Sequence, residues 1–277
     1  NLAEINNQLL LGNHDRALEI TENNATSISS EPGFWNFVPI SATSPASKIV
    51  AGNYKGLRTF DFINGRFSQS GIIPDFVESC RFVAIDKFDN TWVSHPYHGV
   101  YKILKNNTGK TAAVLYTDKK GLPSTLNNHV YKIKNDVLVA TEKGVYLYNQ
   151  QNDNFEPAPF YKKLLGDKSI RYLKADDAGN IWFIHAKNLG VIDMSGIEPS
   201  VIYLPELNNR MLSGFEFIYP VNENNVFLGA EKGFYHINYD KYKKTLPGLK
   251  VQVRMVRIIN NTDCLVFGGY FKDVNDY

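Results

Sequence analysis

Two cysteines in 277 residues are too few for a disulfide framework. Cys80 lies in "ESCRFVAI" and Cys264 in "TDCLVFGG", apolar surroundings that predict two buried free thiols, and their separation fits no zinc-ligand spacing. An excess of charge of either sign is also lacking, with 30 basic residues against 28 acidic ones and a net of +2. That balance supplies no field for gathering nucleic acid or an anionic membrane surface, so nucleic acid is not an expected partner. No apolar run reaches the ~20 residues that span a bilayer, and no signal peptide opens the chain. Helical periodicity is missing too. No stretch keeps a 3.6-residue apolar repeat beyond about 12 residues, and "YKKLLG" from Tyr161 predicts one turn at most. Gly-x-Ser-x-Gly, a phosphate loop and Cys-x-x-Cys are absent, which removes the usual sequence grounds for an esterase, a nucleotide-binding enzyme or a thiol oxidoreductase.

What is present is strand-forming material in a repeat. Aromatic residues make up 13% of the chain, a composition that favours strands. One pattern recurs: a short apolar strand, a polar loop usually closed by glycine, and a second strand. The copies are "QLLLGNHDRALEIT" from Gln8, "KIVAGNYKGLRTFD" from Lys48 and "TWVSHPYHGVYKIL" from Thr91. "VLVATEKGVYLYN" from Val137, "IWFIHAKNLGVIDM" from Ile181 and "VFLGAEKGFYHIN" from Val226 complete the series. The loop glycines Gly56, Gly99, Gly144, Gly190 and Gly233 stand 43, 45, 46 and 43 residues apart, and Arg16 holds the equivalent place in the first copy.

Each copy is preceded by another strand and a tight turn. "RFVAIDKFDN" leads into Trp92 and "IRYLKADDAGN" into Trp182, with Asn, Asp and Gly where a hairpin turn needs positive φ. A fourth strand follows some copies, as in "TAAVLYT" from Thr111 and "PSVIYLP" from Pro199. Four short strands per roughly 40–50 residues is the period of a propeller blade; a β-helix or a leucine-rich repeat would need shorter units. The expected fold is therefore all-β, a β-propeller of four-stranded antiparallel blades. Six repeat units are visible, at 1–30, 31–72, 73–118, 119–165, 166–207 and 208–246, and a seventh blade is left open. Ile49, Trp92, Leu138, Trp182 and Phe227 occupy one matching place, where a large side chain is expected to fill the wedge between neighbouring blades. After the turn-rich "KKTLPGLK" from Lys243 the blade loop is lost. The propeller is thus expected over 1–246, and 247–277 as the truncated start of a second β domain. The chain reads as a piece of a longer protein.

The fourth and fifth units carry a family likeness. "GLPSTLNNHVYKIKNDVLVATEKGVYLYN" from Gly121 and "ADDAGNIWFIHAKNLGVIDM" from Ala175 resemble two-component-regulator propeller repeats, with a Gly-Leu loop, Asp-x-x-Gly-x-Ile-Trp, and Gly-Val before a final strand. The first two units lack the Asp-x-x-Gly-x-Ile-Trp signature, and "DKFDNTW" in the third replaces its glycine with Asp89. The tail from Val251 is similar to the start of the triple-tyrosine β-sandwich that follows such propellers. The resemblance implies the periplasmic sensor half of a membrane-anchored regulator. Its output would be a histidine kinase or a helix-turn-helix domain, and its ligand a carbohydrate breakdown product. "IDKFDNTWVS" from Ile85 also resembles the sialidase Asp-box, a turn stabiliser without a catalytic part.

The loops between second and third strands vary while the strands agree, and variable loops on a rigid scaffold suit binding. They carry Asn53, Tyr54 and Lys55; His95, Tyr97 and His98; Glu142 and Lys143; His185 and Lys187; and Glu231 and Lys232. In a propeller these loops share one end with the links between blades, so the residues are expected around one rim, facing a small polar ligand such as an oligosaccharide. No Asp or Glu lies within the two histidine-bearing loops, so no metal site and no cofactor is expected. Other expected partners are adjacent domains of the same chain and, at full length, a second copy. A sensor is favoured over two alternatives, a propeller lyase or glycosidase and a pure protein scaffold.

Overall fold

Alternating apolar residues and turns closed by Asn, Asp or Gly divide the chain into successive antiparallel hairpins. The computed structural model of the protein describes residues 1–40, 44–105, 111–246, 255–259 and 263–268. Blade 1 holds β1 (Leu2–Ile5), β2 (Gln8–Gly12), β3 (Ala17–Ile20) and β4 (Ala25–Ser29). Blade 2 holds β5 (Phe37–Pro39), β6 (Lys48–Asn53), β7 (Gly56–Ile63) and β8 (Arg66–Ile72), and blade 3 holds β9 (Phe82–Ile85), β10 (Thr91–His95), β11 (Gly99–Lys105) and β12 (Thr111–Tyr116). Blade 4 follows with β13 (His129–Ile133), β14 (Asp136–Thr141), β15 (Gly144–Asn149) and β16 (Asn154–Pro157). Blade 5 holds β17 (Ile170–Ala175), β18 (Ile181–His185), β19 (Asn188–Asp193) and β20 (Ser200–Tyr203), and blade 6 holds β21 (Ile218–Asn222), β22 (Asn225–Ala230) and β23 (Gly233–Ile237). Strands pair in chain order within every sheet, so the molecule is a six-bladed propeller of antiparallel sheets.

Helix is confined to short pieces, chiefly α1 (Pro159–Leu165) and α2 (Tyr239–Thr245). α1 is longer than the single expected turn, because Pro159 opens it and Tyr161 and Leu165 bury one face against blades 4 and 5. α2 follows β23 directly, where the other described blades have a fourth strand. No helix among the described residues is long and apolar enough to cross a membrane. β24 (Met255–Ile259) and β25 (Asp263–Gly268) form a separate two-stranded sheet. The rest of the expected second domain, residues 247–254, 260–262 and 269–277, lies outside the described residues, as does the side chain of Cys264. Cys80 is a buried free thiol whose pKa burial pushes up.

The tryptophans fill the wedge between blades. Trp92 is fully buried among Val100 and Tyr116 of its own blade and Val130, Val139 and Phe155 of blade 4. Trp182 is equally buried against Val226, Leu228 and Ile218 of blade 6. A buried indole N–H needs a partner, and the preceding turn supplies it. Asp86 accepts from the backbone N–H of Phe88 and Asn90 at 2.8 and 2.9 Å and from Trp92 Nε1 at 2.8 Å. Asp176 does the same for Asn180 at 2.9 Å and for Trp182 Nε1 at 3.0 Å. Burial alone would push the Asp86 carboxyl up, but these hydrogen bonds hold it below its ordinary value. The Asp-x-x-Asp/Gly-Asn-x-Trp signature therefore joins a turn to the core behind it.

Two expected equivalences shift in register. Ile49 faces blade 1, and Val50, three residues before the loop as Trp92 is, faces blade 3. A one-residue slip reverses a side chain's face because strands have a period of two. Gly190 does not close its loop. The turn of blade 5 is the two-residue Ala186–Lys187, with φ of 46° and 64°, and Asn188 pairs with His185. Gly190 instead lies inside β19, where a Cβ would run into the ring of Phe183. Gly99, by contrast, does close its loop at φ 105°.

A candidate ligand-binding face around the propeller axis

In a meander the second-to-third-strand turns and the links between blades meet at one end, and backbone hydrogen bonds tie several of the turns to the link that follows. Gly33 N donates to His14 O at 2.9 Å, Gly56 N to Glu78 O at 3.0 Å and Asn209 N to Lys187 O at 3.0 Å. The expected rim residues therefore share the link end but sit on five different blades, and their environments differ. Asn53 is buried and serves the fold: its side chain donates to Pro32 O at 2.7 Å and accepts from Lys55 N at 2.9 Å. Tyr54 is exposed, within hydrogen-bond distance of His14 Nδ1 at 3.0 Å, and Lys55 is exposed beside it. Glu142 accepts from Asn127 Nδ2 at 2.6 Å, while Lys143, Glu231 and Lys232 are exposed turn residues. The Nδ1–H of His185 donates to Ser169 O at 2.8 Å. Lys187 is exposed at the tip of its hairpin.

His95 and His98 stack at 3.9 Å, and both face Glu78, 3.5 and 3.6 Å from its carboxylate. These three are the group among the described residues whose ligand atoms lie closest to a metal-binding arrangement. They do not fit a metal. His95 Nδ1 accepts from the backbone N–H of Tyr97 and His98 at 3.1 and 3.2 Å, so the ring proton must sit on Nε2, the atom aimed at Glu78. Burial, with His98 adding to it and Glu78 opposing, holds the His95 pKa below its ordinary value. The ring is neutral at pH 7 and locks the loop. Tyr97 remains exposed outside it.

A tighter constellation stands nearer the axis, on residues that open each inner strand. The guanidinium of Arg81 lies over the rings of Trp35, Phe82 and Phe215, at 5.0, 5.3 and 5.1 Å from their centroids. Phe82 stacks on His129 at 4.6 Å, and both His129 Nδ1 and Tyr131 Oη donate to Arg171 O at 2.8 Å. Arg171 Nε faces Glu216 at 3.4 Å, and Glu216 also accepts from Gly214 N at 3.0 Å. Arg81 has neither a hydrogen bond nor an ion pair among the described residues. Burial lowers its pKa and Glu216 raises it, while burial keeps His129 neutral. Beside this cluster a cavity of about 390 Å³ is lined by Ser169, Arg171, Ala186, Lys187, Ser213 and Gly214. Sequence reading missed Trp35, Arg81, His129, Arg171 and Glu216. Their signal is one polar or aromatic residue at the start of each unit's first strand, where the repeat itself sets no residue type.

A larger cavity, about 580 Å³, opens at the opposite end, lined by residues in and beside the first turns, including Asn6, Asp86, Lys87, Asp89 and Lys132. The carboxylate of Asp86 is already committed to its turn and to Trp92. The side chains of Lys87, Lys132 and Asn135 lack hydrogen-bond partners among the described residues there too, but the link end joins two guanidinium groups to a set of aromatic faces, so it is the better candidate despite its smaller cavity.

No protein-family model matches the chain, and no curated protein does. Solved structures do. The extracellular domain of a protein assigned to a hybrid two-component system of B. thetaiotaomicron superposes with a TM-score of 0.63 at 17% identity, over 92% of this chain and 35% of that one. A second such domain from the same bacterium gives 0.61 at 14% identity, over 86% of this chain and 34% of that one. A virginiamycin B lyase from Staphylococcus aureus gives 0.54 at 10% identity, over 84% and 77% of the two chains. The likeness establishes the propeller fold. The chain spans about a third of the length of the two extracellular domains.

Proposed function

We propose that this chain is the ligand-binding propeller of an extracytoplasmic, periplasmic sensor, part of a two-component or one-component regulator, and that it takes a carbohydrate-type ligand at the link end. The observation that carries the reading is Arg81. Its guanidinium is half-buried among three aromatic rings with no described hydrogen-bond partner, at the mouth of the axis. Aromatic faces with convergent polar donors are what a polar, ring-shaped ligand needs. Its neighbours in fold include sensor extracellular domains, and residues 247–277 are proposed as the start of the next, sandwich-type domain. Binding would act by favouring one arrangement of the propeller against that neighbour or a second copy. A catalytic reading finds less support: the carboxylate at the mouth, Glu216, is held by Arg171 and Gly214 instead of being poised as an acid or base. Titration calorimetry against an oligosaccharide panel, with product analysis of the same samples, tests this. Binding without turnover is expected. Enzyme-like consumption of a sugar, abolished by changing one link-end residue, overturns it, as does a ligand that binds only at the Asp89 end.

A further inference from the structure

We infer that the group recognised at this mouth is an oxyanion, a carboxylate or sulfate carried by the ligand and held by Arg171 and Lys187 with Arg81 beside it. The inference rests on the link-end reading above and adds the ligand's charge.

The chain as a whole is nearly neutral, but its axis mouth is not. Three cations, Arg81, Arg171 and Lys187, gather there around one carboxylate, Glu216. Glu216 offsets only one of the three charges. Its side chain is only 9% exposed and is committed to Gly214 N and to the Nε edge of Arg171. The guanidinium nitrogens of Arg81 and Arg171 and the ammonium of Lys187 have no hydrogen-bond partner among the described residues, Arg171 Nε meeting Glu216 only as an ion pair. Arg171 and Lys187 line the same cavity, with the hydroxyl-bearing Ser169 and Ser213 on its wall. Lys187 is placed there by a strained two-residue hairpin, φ 46° and 64°, whose backbone is pinned by Asn209 N at 3.0 Å.

A guanidinium presents a planar fork of donors that matches a carboxylate or a sulfate, and a partly desolvated one gains most from such a partner. The rings of Trp35 and Phe215 beside Arg81 offer an apolar face to the body of the ligand. A neutral sugar would leave the surplus charge uncompensated. A free inorganic ion would leave the rings uncovered.

The test uses the chain labelled with ¹⁵N, followed through its arginine Nε–H resonances and by calorimetry. The probes are digalacturonate, neutral galactobiose, a sulfated galactobiose and inorganic phosphate. The acidic disaccharides should bind roughly tenfold or more tighter than galactobiose and shift the Arg81 and Arg171 signals. Arg81→Gln and Lys187→Gln should each remove that preference, bringing the affinity for the acidic disaccharides down to that of the same variant for galactobiose. Arg171→Gln would strand Glu216, so the paired change Arg171→Gln with Glu216→Gln serves in its place. Equal affinity for neutral and acidic sugars, or variants that keep the preference, overturns the anion inference and leaves the carbohydrate reading standing. Phosphate binding as tightly as the acidic sugars keeps the inference and removes the carbohydrate reading. Silence of both arginine signals with every probe overturns both.

Discussion

Blades 5 and 6 and blades 6 and 1 meet through faces built from the same repeat, yet the two interfaces differ. Trp182 of blade 5 is fully buried against Ile218, Val226 and Leu228 of blade 6. Phe227 holds the same place in blade 6, three residues before its loop, and is only half-buried. Its neighbours on that face, Tyr219, Phe234 and His236, are exposed, and on blade 1 so are Leu2 and Leu9. Every other pair of consecutive blades shares a buried apolar cluster, whereas across this seam the described polar contact is Tyr219 Oη donating to Glu4 at 3.0 Å. A repeat can specify a large side chain at a given place. Whether that side chain stabilises the fold depends on the sheet opposite, because apolar free energy follows the area removed from water.

The largest test of that contrast is truncation. Trp182→Ala should cost about 3–5 kcal/mol in urea unfolding, and Phe227→Ala less, about 1–2 kcal/mol, because Phe227 is only partly buried and its neighbours on that face are exposed. A Phe227→Ala loss as large as that at Trp182 would break the comparison and make the seam a core like the others.

Acid should act on the blade 5–6 side. Asp193 accepts from Ser195 N at 2.8 Å and from Tyr239 Oη at 2.6 Å, and Lys243 Nζ lies 3.3 Å away. Burial pushes this carboxyl up, but the hydrogen bonds and the ammonium outweigh it and bring it down to about 2. With the folded value below the unfolded one, near 3.9, the ionised form is the stabilised form. Its contribution, roughly 2 kcal/mol, is complete above pH ~4 and is lost as pH falls from about 4 towards 2. Unfolding measured across that window should show this slope, and Asp193→Asn should flatten it; an unchanged slope would remove Asp193 as its source.

A smaller effect is expected from Tyr239→Phe, which removes one hydrogen bond to Asp193 Oδ2 but leaves that oxygen facing Lys243 Nζ at 3.3 Å, and should cost about 1 kcal/mol. The smallest belongs to the seam. Tyr219→Phe breaks an exposed hydrogen bond and should change unfolding free energy by less than about 1 kcal/mol. A loss comparable with that of Tyr239→Phe would mean that the seam is held far more tightly than its burial implies.

The repeat was legible because its signals are local. Positive-φ residues such as Gly99 and Asp89 mark turns, apolar alternation marks the strands between them, and the unit boundaries near 30, 72, 118, 165 and 207 fall between the observed blades. Register was less legible. Ile49 and Val50 are both apolar, and only the neighbouring sheets decide which of them points to blade 3. The candidate site was legible at its rim but not at its centre. Glu142, Lys187 and His98 stand out as variable loop residues, while Arg81, Arg171 and Glu216 look like ordinary polar residues at strand starts.

By itself, the sequence determined the number of visible units, their antiparallel order, the tryptophans in the wedge and the end of the molecule that the variable loops share, since each follows from spacing along one stretch of chain. Tertiary structure alone decided that Arg81 of blade 3, Arg171 of blade 5 and Glu216 before blade 6 meet at the axis, that His95 spends its lone pair on its own loop, and that Phe227 lacks the cover that Trp182 has. These facts depend on what stands opposite a residue around the ring. That is set by how the sheets pack, over separations of 40 residues and more, where loop closure leaves no local trace.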